Sequence, residues 1–148
     1  MTGVQTCALP ISNQFKVGLA DGGYNFLTDT FKIALYTGAA NIGPTTASYT
    51  TTAEVTGTGY TAGGQTLTVS VAPTTGNDPN NTVAYLSFSD VTWSPAAFTC
   101  RGAIIYKADG VNNYTVCILD FGADKTCTTQ FQIQFPTPNS TNAIIRIA

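Results

Sequence analysis

The chain has 148 residues, a net charge of −2, 9% charged residues, 43% hydrophobic residues and no histidine. Its length suits one domain, and because charged residues usually make up about 25% of a globular protein, hydroxyls and amides must cover much of this surface. Six Lys/Arg spread from Lys16 to Arg146 form no basic stripe for nucleic acid, and no apolar run approaches the ~18 residues of a membrane-spanning helix.

Residues 1–12, MTGVQTCALPIS, carry no charge and no period. They lack the basic start and the apolar run of a secretory signal. The stretch resembles a translated short-read sequencing adapter. That adapter's codons, with GTG read as a start, spell Met1 through Ile11 and begin Ser12. Residues 1–12 are therefore expected to be a non-native, disordered segment with few core contacts. Residues 13–148 are expected to form a single domain. Cys7 falls in the excluded segment, leaving Cys100, Cys117 and Cys127. An odd number gives no full disulfide framework, and no CxxC or Cys/His spacing suggests zinc. They read as reduced, small buried residues, with Cys100 and Cys117 on neighbouring strands. Reduced thiols fit assembly in a bacterial cytoplasm.

In chain order, Phe15 and Leu19 permit a short helix over Asn13–Ala20, which Asp21-Gly22-Gly23 stops. Thr30–Thr37 alternates as a strand, with Phe31, Ile33 and Leu35 on one face and Lys32, Ala34 and Tyr36 on the other. Residues 38–53 are a Gly/Pro/Thr-rich loop, long enough to suggest function or an interface. In Glu54–Thr68 three glycines punctuate short β segments, and Gln65–Val71 continues as a strand. A second loop covers Pro73–Asn81. Thr82–Phe88 alternates, and Ser89–Ala96 reads as a turn or short edge segment. Phe98–Tyr106 and Asn113–Phe121 pair as a hairpin across Asp109-Gly110. Gly122–Thr126 reads as a turn. Gln130–Phe135 and Ala143–Ile147 are the last strands. About eight short strands and one N-terminal helix predict an all-β domain, a small antiparallel β-sandwich or jelly-roll-like barrel.

Motifs of catalysis are weak. GTGYTAGG at 57–64 has neither the spacing nor the helix of a dinucleotide loop and lacks the Lys of a phosphate loop. Its glycines predict bulges or positive-φ turns. Asp120-Phe121-Gly122 matches a kinase magnesium motif without that motif's companions. No histidine serves as a general base, and the acids sit where turn formers sit. Asp120 and Asp124 could attract calcium, yet no DxDxDG loop is present. No catalytic residue, cofactor or metal site is therefore assigned. Arg101 lies inside a strong strand, and Asp90 and Asp120 are its candidate partners in a structural ion pair. Tyr49, Tyr60 and Trp93 are candidates for an interface or ligand contact, against core packing for Trp93.

FKIALYTGAA (31–40), EVTGTGYTAGGQTLT (54–68), DVTWSPAAFTCRGAIIYKADG (90–110) and ILDFGADK (118–125) together resemble a family of small virion proteins of tailed bacteriophages. The resemblance spans residues 13–148 and implies no catalytic residue. It implies a non-enzymatic virion component assembled in the bacterial cytoplasm, such as a capsid decoration or head-associated protein. Its partners would be other capsid or tail subunits and further copies of itself, with loops 38–53 and 73–81 making the contacts. It would need no cofactor, nucleic acid or membrane. The alternative is a tail or fibre module that presents Tyr49, Tyr60 and Trp93 to a host glycan.

Overall fold

A computed structural model describes residues 2–4, 10–76 and 82–147. The described residues are mostly β, with one short helix among them, α1 (Asn13–Asp21). Ser12 caps the helix by accepting from the Phe15 N–H at 2.9 Å, as a small hydroxyl residue should. Gly22 closes it in the left-handed region, φ 75°.

Among the described residues, nine strands pair antiparallel in three open sheets. They are β2 (Phe31–Tyr36), β3 (Gln65–Leu67), β4 (Val69–Thr75), β5 (Ala84–Phe88), β6 (Val91–Trp93), β7 (Phe98–Lys107), β8 (Thr115–Cys127), β9 (Phe131–Gln134) and β10 (Ile145–Ile147). A further segment, β1 (Thr2–Val4), runs parallel to β9. The sheet orders are β3-β2-β7-β8, β10-β5-β4 and β1-β9-β6. Open sheets with free edges fit a sandwich and exclude the closed-barrel alternative.

The main core lies against one face of the four-stranded sheet. Ile33, Leu35, Ala103, Ile105, Cys117 and Leu119 point inward from it. They meet Leu86, Phe88, Trp93, Phe131, Ile133 and Ile145 from the other two sheets, and Phe15 from α1. The predicted alternation of β2 is correct in direction, but both of its faces are buried. Ala34, Tyr36, Ile104, Tyr106 and Ile118 form a second cluster on the outer face. Loop 38–53 supplies its cover through Ala40, Ile42 and Tyr49. The long loop therefore closes a third layer over the sheet.

Several expectations need correction. Ile11 bridges Cys117 and packs against the main core. Ser12 is fully buried, its N–H donating to Val116 O at 2.9 Å. Few core contacts therefore does not hold for these two residues, because the edge of β8 accepts an extended backbone there. Cys7 lies outside the described residues. The strand expected over Gln65–Val71 breaks at Thr68, and β4 then runs on to Thr75 through Pro73. Proline is tolerated because β4 is an edge strand with register shifts. Of the expected loop 73–81, residues 77–81 lie outside the described residues.

Gly122–Thr126 is not a turn. It belongs to β8, where Cys100 pairs with Lys125 and Gly102 pairs with Asp120. The four residues Phe121–Asp124 thus oppose Arg101 alone, a wide bulge at which Gly122 adopts φ 74°. The bulge also breaks the alternation of β7. Phe98 and Cys100 face inward before it, and Ala103 and Ile105 after it. The Asp109-Gly110 hairpin forms as expected. Asp109 Oδ1 accepts from the backbone of Val111, Asn112 and Asn113, each at 2.9 Å. These bonds, led by that from Asn113, hold its carboxyl below the usual range.

Candidate functional site

The one buried charged side chain among the described residues is Glu54, 9% exposed. It directly follows the covering loop, and the backbone around it hydrogen-bonds to the end of β2. Val55 N donates to Leu35 O at 2.9 Å and Thr37 N to Ala53 O at 3.0 Å. The carboxylate therefore sits beside the sheet. It has no cation within ion-pair distance among the described residues. Hydrogen bonds carry its charge instead. Tyr49 donates to Oε2 at 2.6 Å. Tyr60 donates to Oε1 at 2.6 Å, and the Gly63 N–H donates to Oε1 at 2.7 Å. Such charge-assisted bonds are the strong ones.

A second ring of bonds fixes these donors. Tyr60 Oη accepts from the Leu35 N–H at 2.9 Å. Tyr106 donates to Gly63 O at 2.8 Å and Tyr36 to Thr50 O at 2.7 Å. Tyr49 stacks on Tyr106, ring centres 4.7 Å apart. The glycines that looked like a nucleotide loop let the chain make these contacts. At Gly64, φ 71°, a Cβ would lie 1.8 Å from Ile33 O, and at Gly59, φ 81°, 1.7 Å from Pro95 O. No side chain fits either position.

Three of the site candidates therefore have structural roles. Trp93 is 1% exposed and contacts Tyr60, Phe98 and Phe131, so it belongs to the core and not to a surface platform. Tyr49 and Tyr60 are half-buried and point their hydroxyls at Glu54. Sequence reasoning missed Glu54 itself, although a glutamate followed by tyrosine six residues on and glycine nine residues on is the available signal.

Burial raises the phenols of Tyr36, Tyr49 and Tyr60 well above their usual range, and hydrogen bonding to Glu54 raises the last two further. Burial pushes Tyr24 and Tyr106 up to about 12. None of these five is poised for proton transfer near neutrality. Their folded values exceed the unfolded value of about 10. The stability they carry is thus complete below about pH 10 and is lost as pH rises through the folded values. We expect these five phenols to ionise together with loss of β circular dichroism in alkali. Phenolate absorbance and circular dichroism followed in one titration check this. Ionisation of these tyrosines at their usual value in an intact fold would refute it.

Arg101 lies elsewhere. It lines a cleft of about 300 Å³ with Thr37, Gly38, Ala40, Ile42, Gly102, Ile118, Leu119 and Asp120. Its acidic neighbour is Asp124 at 3.9 Å, with both side chains about half exposed. Asp90 and Asp120 do not come within ion-pair distance of it; one oxygen of each caps a backbone N–H instead. Asp90 Oδ1 accepts from Phe135 N at 2.8 Å and Asp120 Oδ1 from Gly122 N at 2.8 Å. An exposed pair at that distance contributes little. Arg101→Ala is expected to change unfolding free energy by less than about 0.5 kcal/mol, as measured by urea denaturation.

The better ion pair was missed. Lys107 Nζ lies 3.0 Å from Asp29 Oδ2 with both partly buried, and it donates to Gly23 O at 3.0 Å. This fastens the end of β7 to the segment after α1. Cys100, Cys117 and Cys127 are buried free thiols. Burial pushes Cys100 and Cys117 up to about 12, too high for a nucleophile at neutral pH. Among the described residues no group of His, Cys, Asp or Glu is placed to hold a metal ion. Comparison of the chain with protein-family models, curated proteins and solved structures finds no match.

Proposed function

We propose that this chain is a non-enzymatic structural component of a tailed-phage virion, of the capsid decoration or head-associated kind. It acts by protein–protein contact. The observation that carries the reading is the charge-poor, hydroxyl-covered surface on a braced β domain. Between residues 33 and 77 Glu54 is the only charged residue, and it is buried. Interface cores are depleted in charge, and a surface that is already ordered loses less entropy on association. The resemblance of the chain's motifs to those of small virion proteins is the second support for this reading.

The competing reading, a glycan-binding tail or fibre module, named Tyr49, Tyr60 and Trp93. Those side chains are occupied in the Glu54 network and the core, and nothing in the geometry favours that reading. Quantitative mass spectrometry of purified particles of the source phage tests the proposal. The protein should appear at a fixed copy number with intact virions, and with heads when heads and tails are separated. Absence from intact particles defeats it.

A further inference from the structure

Loop 38–53 does not cover the whole outer face of the four-stranded sheet. Near the bulge a cleft of about 300 Å³ stays open between the start of that loop and the strands β7 and β8. Its volume is at the small end of ligand sites. Glycines shape it. Gly102 lines it without a side chain, and a Cβ there would stand 2.6 Å from Leu119 O. Gly38 lies against the rim, where a Cβ would stand 3.2 Å from Asp124 Oδ1 and 4.0 Å from Arg101 Cδ.

Two opposite charges line this cleft, Arg101 and Asp120, and each keeps bonding capacity. The Arg101 guanidinium is a fork of N–H donors. Among the described residues its ionic neighbour is Asp124 at 3.9 Å, beyond hydrogen-bond distance. Asp120 accepts from the Gly122 N–H with Oδ1, and its Oδ2 has no donor among the described residues. Lys107, by contrast, is occupied by Asp29 and Gly23 O. Arg101 and Asp120 also stay outside ion-pair distance of each other, so a group between them can meet both. Ala40, Ile42 and Ile118 of the outer apolar cluster supply the uncharged lining.

That lining selects a ligand by its charges. A simple anion would meet one guanidinium and the carboxylates of Asp120 and Asp124, and a simple cation would meet the guanidinium. A carboxylate bonded to a carbon that bears an ammonium satisfies both signs. The guanidinium fork matches the carboxylate, and an aliphatic group covers Ala40, Ile42 and Ile118. We propose that this cleft binds a small zwitterion, an α-amino acid with an aliphatic side chain, held by Arg101 through its carboxylate and by Asp120 through its ammonium. The site lies apart from the Glu54 network, and the inference does not rest on the virion reading.

Titration of the full chain with L-leucine, followed by nuclear magnetic resonance, is the test. The backbone amides of Gly38, Gly102 and Asp120 should shift and saturate with a dissociation constant of about 1 mM or tighter. Arg101→Ala, folded by circular dichroism, should bind at least tenfold more weakly, the loss of a charge-assisted contact. Asp120→Asn keeps an oxygen for the Gly122 N–H and should weaken binding as much. Isocaproate lacks the ammonium and isoamylamine lacks the carboxylate, so each should bind the wild type at least tenfold more weakly than leucine. A wild type with no saturable shift up to about 20 mM leucine overturns the proposal. So does leucine binding that is unchanged in Arg101→Ala. Isocaproate or glucuronate binding as tightly as leucine would assign the cleft to carboxylates in general and also overturn it.

Discussion

Replacing Glu54 by alanine is expected to lower the unfolding free energy by about 3 kcal/mol. The substitution removes the acceptor for two phenols and one backbone N–H. Each donor left unmade at a buried site costs roughly 1–3 kcal/mol, and partial access to water at the half-buried tyrosines lowers the sum. That is a large fraction of the 5–15 kcal/mol typical of a domain. Glu54→Gln keeps the volume and one acceptor oxygen, so its loss should be about half as large. Urea denaturation of both variants measures the effect. A loss under 1 kcal/mol for alanine would mean that the network does not brace the loop.

Trp93→Ala is expected to cost about 3–5 kcal/mol, the range for emptying a large aromatic from a core. Trp93 is fully buried among Tyr60, Phe98 and Phe131. Its Nε1 has no acceptor among the described residues, so Trp93→Phe loses volume without losing a hydrogen bond. That variant should cost clearly less than alanine. Thermal and chemical unfolding of the pair separates the two readings of this residue. A ligand platform would leave stability nearly unchanged in both variants.

Much of the architecture was legible because period-two patterning survives where one face of a strand is buried. The segments of β2, β7, the first half of β8 and β9, the Asp109-Gly110 hairpin and α1 with its glycine stop all follow from local rules. What local rules missed came from long-range contacts. A bulge and a turn share the same residues, so Gly122–Thr126 gave a turn signal while lying inside β8. The break of β3–β4 at Thr68 reflects a chain passing from one sheet to another, which alternation cannot express. The candidate site failed for a related reason. An isolated tyrosine or tryptophan carries no mark of its partner, and the partner that organises Tyr49 and Tyr60 is a glutamate that composition alone places on the surface. For Arg101 neither expected partner is in reach; its carboxylate neighbour, Asp124, is set by the bulge.

That bulge constrains the chain in a way that side-chain chemistry does not. Gly122, Ala123 and Asp124 are exposed, and the one ion pair among them, Asp124 with Arg101, is weak. Yet they separate two stretches of β8 that each present fixed residues inward, Leu119 on one side and Cys127 on the other. Because side chains alternate with period two, deleting or adding one residue would turn Thr126, now exposed, toward the core and Cys127 toward water. The stretch is therefore constrained in its length, and at Gly122 also in its residue, because a left-handed backbone strains any other side chain.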